Sequence, residues 1–199
     1  NALNGLQVEN RGAITRLGAA VDASEATIRG AIERGCGMLL VHHGLFWSGN
    51  RPVTGARYRR LRMLFDADVA LYSAHLPLDV HPELGNNTLL ARGLGLEPSG
   101  AFGEFEGRAI GVLGTCDHAR EELREKLASV VGGAVRLIPG GPARVRMAGV
   151  LTGGGGSMVQ AAIDAGLDAL ITGEGSHHTY VEAMEGGMNL YYAGHYATE

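Results

Sequence analysis

Three stretches of the sequence repeat one pattern, in which a helix-like segment ends at a glycine and a short apolar run follows. They are residues 31–35, 162–166 and 183–187. Such units build α/β folds, because parallel strands need a crossover between them that is usually helical. The eighth residue after each final glycine is His43, Glu174 or His195. Polar side chains therefore recur where strands end, which is the edge at which open parallel sheets bind ligands. Because helix–glycine–strand units are common in α/β proteins, the role of Glu174 stays open at this point.

Apolar runs alternate with helical segments along the whole chain. Strands are expected at 13–21, 38–41, 69–74, 109–113, 135–138, 145–151, 169–172 and 190–193, and helices at 25–34, 58–65, 86–92, 119–130, 158–165 and 180–184. The alternation predicts a single α/β domain over 1–199, with mostly parallel or mixed sheets flanked by helices. We expect two similar α/β halves, 1–97 and 108–199, around a central metal site and joined by a Gly-rich link. Pro77 predicts a loop rather than a helix at 75–79.

Composition narrows the class of protein. A chain of 199 residues with 45% hydrophobic and 19% charged residues is typical of a globular protein rather than a disordered one. The net charge of −4 gives no general attraction to nucleic acid or anionic lipid, so neither is an expected partner. A basic patch could still bind phosphate or form a solvated helix face; it comprises Arg57, Arg59, Arg60 and Arg62.

Cysteine usage indicates a reducing compartment. Cys36 and Cys116 are too few for a disulfide framework, and neither has the CxxC spacing of a thiolate zinc site. The sequence shows no signal peptide and no long apolar span, so we expect a cytoplasmic protein without a membrane partner.

Five side chains have the chemistry and the placement of metal ligands. His42 and His43 follow an apolar run, at a strand end where packing does not explain two imidazoles. His195 and Glu199 are four residues apart, so one helix face would carry both. Asp79 adds a carboxylate. Five ligands exceed what one catalytic ion with an open position takes, so we expect two divalent ions per subunit, of zinc, iron or manganese. Which carboxylate bridges them stays open.

Other polar groups are candidates for proton transfer and anion binding. His75 and Glu174 are the predicted catalytic acid or base residues. His177 and His178 either support the metal ligands or form an exposed helix start. Residues 152–157 read Thr-Gly-Gly-Gly-Gly-Ser between a strand and a helix, where backbone N–H groups could bind an anion. The stretch lacks the lysine of a P-loop, so a tight turn is an equal interpretation.

Four motifs occur in a fixed order along the chain. They are Asn4-Gly5-Leu6-Gln7-Val8, His42-His43-Gly44-Leu45-Phe46-Trp47, Tyr72-Ser73-Ala74-His75-Leu76-Pro77-Leu78-Asp79 and Gly194-His195-Tyr196-Ala197-Thr198-Glu199. Together they resemble the Nif-three-like dinuclear metal family, known in many bacteria as GTP cyclohydrolase 1 type 2 homologues. The resemblance covers essentially the whole chain, and the absence of a long insertion between the halves fits the short bacterial subgroup.

This resemblance implies a ligand set and an assembly. The family's two metal ions would be held here by His42, His43, Asp79, His195 and Glu199. It also implies a toroidal homohexamer whose metal sites face an internal cavity. Members usually carry a helix before the first motif and another after the last, so we expect further residues beyond both ends of this sequence.

The sequence supports functions from two classes. The leading hypothesis is a dinuclear metal-dependent hydrolase acting on a nucleotide or related small molecule, with GTP cyclohydrolase-like ring opening as the specific reaction. The alternative is a non-catalytic metal-binding regulator or scaffold that interacts with protein or DNA. A phosphoesterase or peptidase using the same ions is a third hypothesis.

Overall fold

The computed structural model describes residues 2–199, which form two compact units. Unit 1 extends through Leu78, and unit 2 runs from Asp79 to Glu199. Each unit contains its own sheet and helices, so the α/β class predicted from the sequence is confirmed.

Unit 1 is built on a four-stranded sheet in the order β1-β4-β3-β2. Its elements are β1 (Gly5–Val8), β2 (Leu17–Asp22), α1 (Glu25–Glu33), β3 (Met38–His43), α2 (Gly55–Asp66) and β4 (Ala70–Ser73). Strands β2, β3 and β4 are parallel, and β1 adds an antiparallel edge strand to β4. Strand β1 was not among the strands expected from the sequence, and it begins at Gly5, directly after Asn4.

Local signals place the first helix where the sequence predicts it. The Ser24 hydroxyl accepts a hydrogen bond from Thr27 N at 3.1 Å and caps α1. Gly35 ends the segment in the left-handed region, at φ +63°, which favours glycine. The helices bury Ile28 and Leu64 in one apolar cluster with Leu71 of the sheet. Burial of a side chain of this size contributes about 1.5–3 kcal/mol.

Unit 2 is built on a six-stranded mixed sheet in the order β5-β6-β8-β9-β10-β7. A one-turn helix, α3 (Leu76–Asp79), includes the boundary between the two units. The elements that follow it are α4 (Asn86–Gly93), β5 (Glu97–Phe105), β6 (Arg108–Ala119), α5 (Arg120–Val131), β7 (Arg136–Pro139), β8 (Arg144–Leu151), α6 (Val159–Asp164), β9 (Ala169–Thr172), α7 (His178–Glu185), β10 (Asn189–Tyr192) and α8 (His195–Thr198). Strands β8, β9 and β10 are parallel, and the other pairings are antiparallel.

The parallel strands of unit 2 are buried on both faces, which explains their continuous apolar character. In β9, Ile171 packs into a cluster with Leu123 and Leu127 of α5. The neighbouring Leu170 points to the other face, in a cluster with Val159 of α6. The carboxyl ends of these strands consequently form a fixed edge from which loops carry polar residues.

Two expectations about connections were wrong. Pro77 lies inside α3, because a proline in the first turn of a helix removes only an N–H that has no helical partner there. The expected Gly-rich link at 98–107 is instead most of β5, which forms an antiparallel pair with β6. Glycine does not prevent pairing in such a hairpin, and the tight turn falls at Gly107, with φ +76°. The chain divides into its two compact units between Leu78 and Asp79.

Candidate metal centre

The first candidate ligands, His42 and His43, form the end of β3. The strand is therefore two residues longer than the apolar run suggested. His42 Nδ1 lies 2.9 Å from the Ala74 carbonyl oxygen. Because a carbonyl can only accept a hydrogen bond, Nδ1 carries the proton and Nε2 carries the lone pair in the neutral ring. His42 is thus prepared to coordinate a cation through Nε2.

His43 is oriented by a carboxylate on the neighbouring strand. Parallel pairing of β2 with β3 sets Asp22 beside His43, and Asp22 Oδ1 lies 2.9 Å from His43 Nδ1. A ligating imidazole commonly donates its other N–H to a carboxylate or carbonyl, which fixes the tautomer and increases the basicity of the ligating nitrogen. Asp22 lies one residue beyond the strand expected at 13–21, and only the pairing of β2 with β3 brings it to His43.

A third imidazole, His75, completes a group that we call the first ligand set: His42, His43 and His75. Their ligand atoms lie within 4.8 Å of one another, and the His75 ring centroid is 4.8 Å from that of His42 and 5.4 Å from that of His43. The structure thus places His75 among candidate ligands, and its role in proton transfer stays a prediction. The indole of Trp47 meets the His75 ring edge-on at 5.2 Å.

Side chains of the first motif hold the backbone that carries this set. Asn4 Oδ1 accepts a hydrogen bond from His75 N at 2.7 Å. Gln7 Oε1 accepts one from Leu45 N at 2.7 Å, just after His43. The function of this motif was not readable from the sequence, because both contacts depend on the antiparallel docking of β1 against β4.

The second group lies in unit 2 and begins with His195 and Glu199. His195 is the first residue of α8 and Glu199 follows its last residue, so the two side chains lie on one face, as their spacing predicted. His195 Nε2 is 3.3 Å from Glu199 Oε2. His195 Nδ1 is 2.9 Å from Glu174 Oε1, so Glu174 orients this imidazole as Asp22 orients His43. The prediction that Glu174 moves protons is untested, and the observed contact assigns it a positioning role.

Asp79 lies near Glu199 of this pair, and we call the three residues of unit 2 the second ligand set: Asp79, His195 and Glu199. Ligand oxygens of Asp79 and Glu199 lie within 4.8 Å of each other. Asp79 is 5% exposed, and a carboxylate buried to this extent needs polar partners. Asn86 Nδ2 donates to Asp79 Oδ1 at 2.9 Å, and Thr152 Oγ1 donates to the same oxygen at 3.4 Å.

The glycine-rich stretch has a packing role beside this set. Gly153 has φ +65°, and a Cβ added there would overlap Glu199 Oε1 and come within 3.1 Å of His195 Nε2. Gly153 N also donates to Thr198 Oγ1 at 3.0 Å, which anchors α8. Residues Gly155–Met158 form a 3₁₀ turn. The tight-turn interpretation of 152–157 therefore accounts for what is observed.

The donor chemistry of both sets fits a divalent cation. Imidazole nitrogens and carboxylate oxygens are the ligands that zinc, iron and manganese share, and no thiolate belongs to either set. Three imidazoles have Nδ1 directed at an oxygen acceptor: His42, His43 and His195. His177 and His178 are exposed at the start of α7, as the alternative interpretation predicted.

Comparison with known proteins places the chain in a family. Residues 2–199 match the family model described as Duf34/NIF3 (NGG1p interacting factor 3). Relatives named GTP cyclohydrolase 1 type 2 homolog include one from Deinococcus radiodurans, 40% identical over 100% of this chain and 76% of the relative. Another, from Archaeoglobus fulgidus, is 41% identical over 98% of this chain and 79% of the relative.

Solved structures share the fold. A protein titled ybgI, of unknown function, superposes with a TM-score of 0.92 at 39% identity, covering 100% of this chain and 80% of the other. Reduced HcgD from Methanocaldococcus jannaschii gives a TM-score of 0.88 at 30% identity, covering 98% and 79%. Within residues 2–199, no helix is both long enough and apolar enough to cross a membrane.

Proposed function

The chain belongs to the Duf34/NIF3 (NGG1p interacting factor 3) family, and on that premise we propose that it is a metal-dependent hydrolase acting on a nucleotide. The observation that carries the proposal is the shared orientation of three histidines. His42, His43 and His195 each direct Nδ1 at an oxygen acceptor 2.9 Å away. This arrangement places the proton on Nδ1 and leaves the Nε2 lone pair of each ring for coordination, which a merely structural histidine does not require.

The two ligand sets would hold two divalent ions per chain. Candidate ligands from the sequence are His42, His43, Asp79, His195 and Glu199, and the structure adds His75 as a neighbour of the first two. Bound divalent ions of this type lower the pKa of water and polarise a substrate oxygen. The identity of the metal, zinc, iron or manganese, is left to analysis of the purified protein.

The chain's own residues would position the reactants and move protons. His75 is the candidate to accept or deliver a proton, since its ring lies against both His42 and His43. Asp22 and Glu174 would keep His43 and His195 in the coordinating tautomer. Asn86 and Thr152 would hold the Asp79 carboxylate in one orientation.

The specific reaction that we propose is ring opening of GTP, since relatives are named GTP cyclohydrolase 1 type 2 homologs. Water would add to the imidazole carbon of guanine, one C–N bond of that ring would break, and the departing nitrogen would take up a proton. No oxidant or reductant is required. Water supplies both the oxygen and the protons.

The test combines metal analysis with a turnover assay. Wild type reconstituted with each metal is expected to bind two ions per chain and to consume GTP. The His43→Ala variant should lose metal and turnover while its circular dichroism spectrum stays native. The Glu185→Ala variant changes an exposed residue of α7 and should behave like wild type. A metal-loaded wild type that leaves GTP and other nucleotides intact would refute the hydrolase and favour the regulator or scaffold hypothesis.

The assembly and location are separate proposals. The family resemblance favours a homohexamer, and the cysteine usage favours the cytoplasm. Light scattering on the purified protein should then give six times the 20.8 kDa chain mass. A monomer or dimer at micromolar concentration would contradict the hexamer without affecting the metal assignment.

A further inference from the structure

A positively charged cavity lies beside the first ligand set in unit 1. It has a volume of about 360 Å³ and is lined by Gly44, Leu45, Trp47, Arg51, Pro52, Arg57 and Arg60. None of these lining residues is acidic. A neighbouring cavity of about 610 Å³ shares Trp47, Arg51 and Arg57 with it. Three arginines thus line one cavity in a protein whose net charge is −4.

The basic patch expected on α2 divides into two stripes of different character. Arg59 pairs with Glu25 at 2.8 Å and Arg62 pairs with Asp66 at 2.7 Å, so these two charges are compensated. Arg57 and Arg60, three residues apart and therefore on a shared face, line the cavity instead. Only the positive charges of Arg57 and Arg60 therefore remain available to attract an anion.

The cavity arginines are held by neutral groups. Arg57 Nη1 donates to the Arg51 carbonyl at 2.8 Å, and its guanidinium carbon lies 5.0 Å from the centroid of the Phe46 ring. Arg60 Nη1 donates to the Ala23 carbonyl at 3.1 Å. Among residues 2–199, no carboxylate forms an ion pair with Arg51, Arg57 or Arg60. These contacts hold Arg57 and Arg60 in position, and the charges of all three arginines stay uncompensated, which is the arrangement used to bind phosphate.

Trp47 links the cavity to the candidate metal ligands. Its indole contacts His75 edge-on at 5.2 Å between centroids and lies 6.0 Å from the His43 ring. Trp47 Nε1 donates to the Gly44 carbonyl at 3.1 Å, which fixes the ring, and 42% of the residue stays exposed. An exposed aromatic face beside arginines suits an aromatic base joined to phosphates, because stacking and charge pairing act on different parts of one molecule.

We propose that this cavity is the binding site for a phosphorylated aromatic small molecule, with the phosphates on Arg51, Arg57 and Arg60 and the ring against Trp47. The choice of a nucleotide as probe rests on the proposed function. The binding itself does not require metal or turnover, so the two proposals can fail independently.

The experiment uses the fluorescence of Trp47, which is the single tryptophan of the chain. The full-length protein is stripped of metal with EDTA and titrated with GTP, guanosine or tripolyphosphate. GTP is expected to quench the emission saturably and to bind at least about tenfold more tightly than either fragment, because each fragment lacks one half of the contacts. The fragments are scored by competition with GTP.

Matched arginine variants identify the site. Arg51→Gln should weaken GTP binding about tenfold, since one charge-assisted contact is lost while the backbone carbonyl that holds Arg57 remains. Arg57→Gln should weaken it at least as much. Arg59→Gln alters a compensated arginine on the same helix and should leave the affinity within about twofold of wild type, because an exposed ion pair contributes little.

Three results would overturn the proposal. The first is unchanged GTP affinity in both Arg51→Gln and Arg57→Gln with native circular dichroism. The second is equal weakening by Arg59→Gln, which would indicate diffuse electrostatic attraction. The third is tighter binding of a single-stranded DNA oligomer than of GTP, lost in the same variants, which would indicate a nucleic-acid site. Binding with the expected pattern but without turnover would sustain this site and refute the hydrolase.

Discussion

Glu174 Oε1 lies 2.9 Å from His195 Nδ1, and this contact joins the ends of two adjacent parallel strands. In unit 1, Asp22 and His43 make the same contact at the same distance. The carboxylate precedes the histidine by 21 residues in both pairs. Each unit therefore contains one strand–helix–strand repeat in which a carboxylate at or just beyond the end of the first strand orients a histidine at or just beyond the end of the second. This contact is what the repeat seen in the sequence provides in three dimensions.

Removing Glu174 should weaken metal binding without unfolding the protein. Glu174→Ala deletes the acceptor that holds the His195 tautomer, so the affinity of the second ligand set should fall about 10–100-fold. The Glu174 side chain is 64% exposed, and the melting temperature of the metal-free protein should stay close to wild type. Competitive titration with a chromogenic chelator measures the affinity. Glu185→Ala is the control, and equal affinities in the two variants would count against the positioning role.

Gly153 tests how closely the backbone must approach the second ligand set. Gly153→Ala places a methyl group against Glu199 and imposes left-handed strain of about 1–2 kcal/mol. We expect lower stability and reduced metal content. Gly154→Ala adds the same methyl at φ −86°, where the nearest atom is 3.8 Å away, and should be tolerated. Denaturant unfolding measures the stability of both variants, and metal analysis measures their metal content. Equal stability and equal metal content in the two variants would contradict the steric argument.

Gln7 should support the loop that follows His43. Gln7→Ala leaves Leu45 N without its acceptor, and Leu45 is buried, so the free energy of unfolding should fall by about 1–3 kcal/mol. Gln160→Ala removes an exposed contact to Asp164 and should change stability by less than about 0.5 kcal/mol. Urea denaturation compares the two. A Gln7→Ala variant as stable as the Gln160→Ala control would show that the loop does not depend on this bond.

Tyr191 should make the protein lose stability at alkaline pH. Burial raises the pKa of Tyr191 above its ordinary value of about 10, and its hydroxyl donates to the Arg120 carbonyl at 3.0 Å. Because the folded-state pKa is the higher one, the contribution is complete below about pH 10 and is lost as the pH rises above it, where only the unfolded chain releases the proton. Stability curves of wild type and Tyr191→Phe, measured between pH 8 and about pH 11, should differ in slope only at the alkaline end. Parallel slopes throughout would contradict the assignment.

The sequence by itself determined the α/β class, most elements and the candidate ligands. Helix periodicity, the Ser24 cap and glycine stops act within a few residues, so they are readable without a fold. The spacing of His195 and Glu199 is likewise local. The predictions of a loop at Pro77 and of a link at the glycines of β5 were wrong, because a proline is tolerated in the first turn of a helix and glycines are tolerated in a paired hairpin.

Only the tertiary structure decided which side chains serve the ligands and which charges stay uncompensated. Asp22 reaches His43 through strand register, Asn4 and Gln7 act through the docking of β1, and Gly153 matters because Glu199 folds back against it. The arginines of α2 look alike in sequence, yet Arg59 pairs with Glu25 of another helix while no carboxylate among residues 2–199 pairs with Arg60. Such contacts join residues far apart along the chain, and their free energy depends on three-dimensional positions that no local pattern encodes.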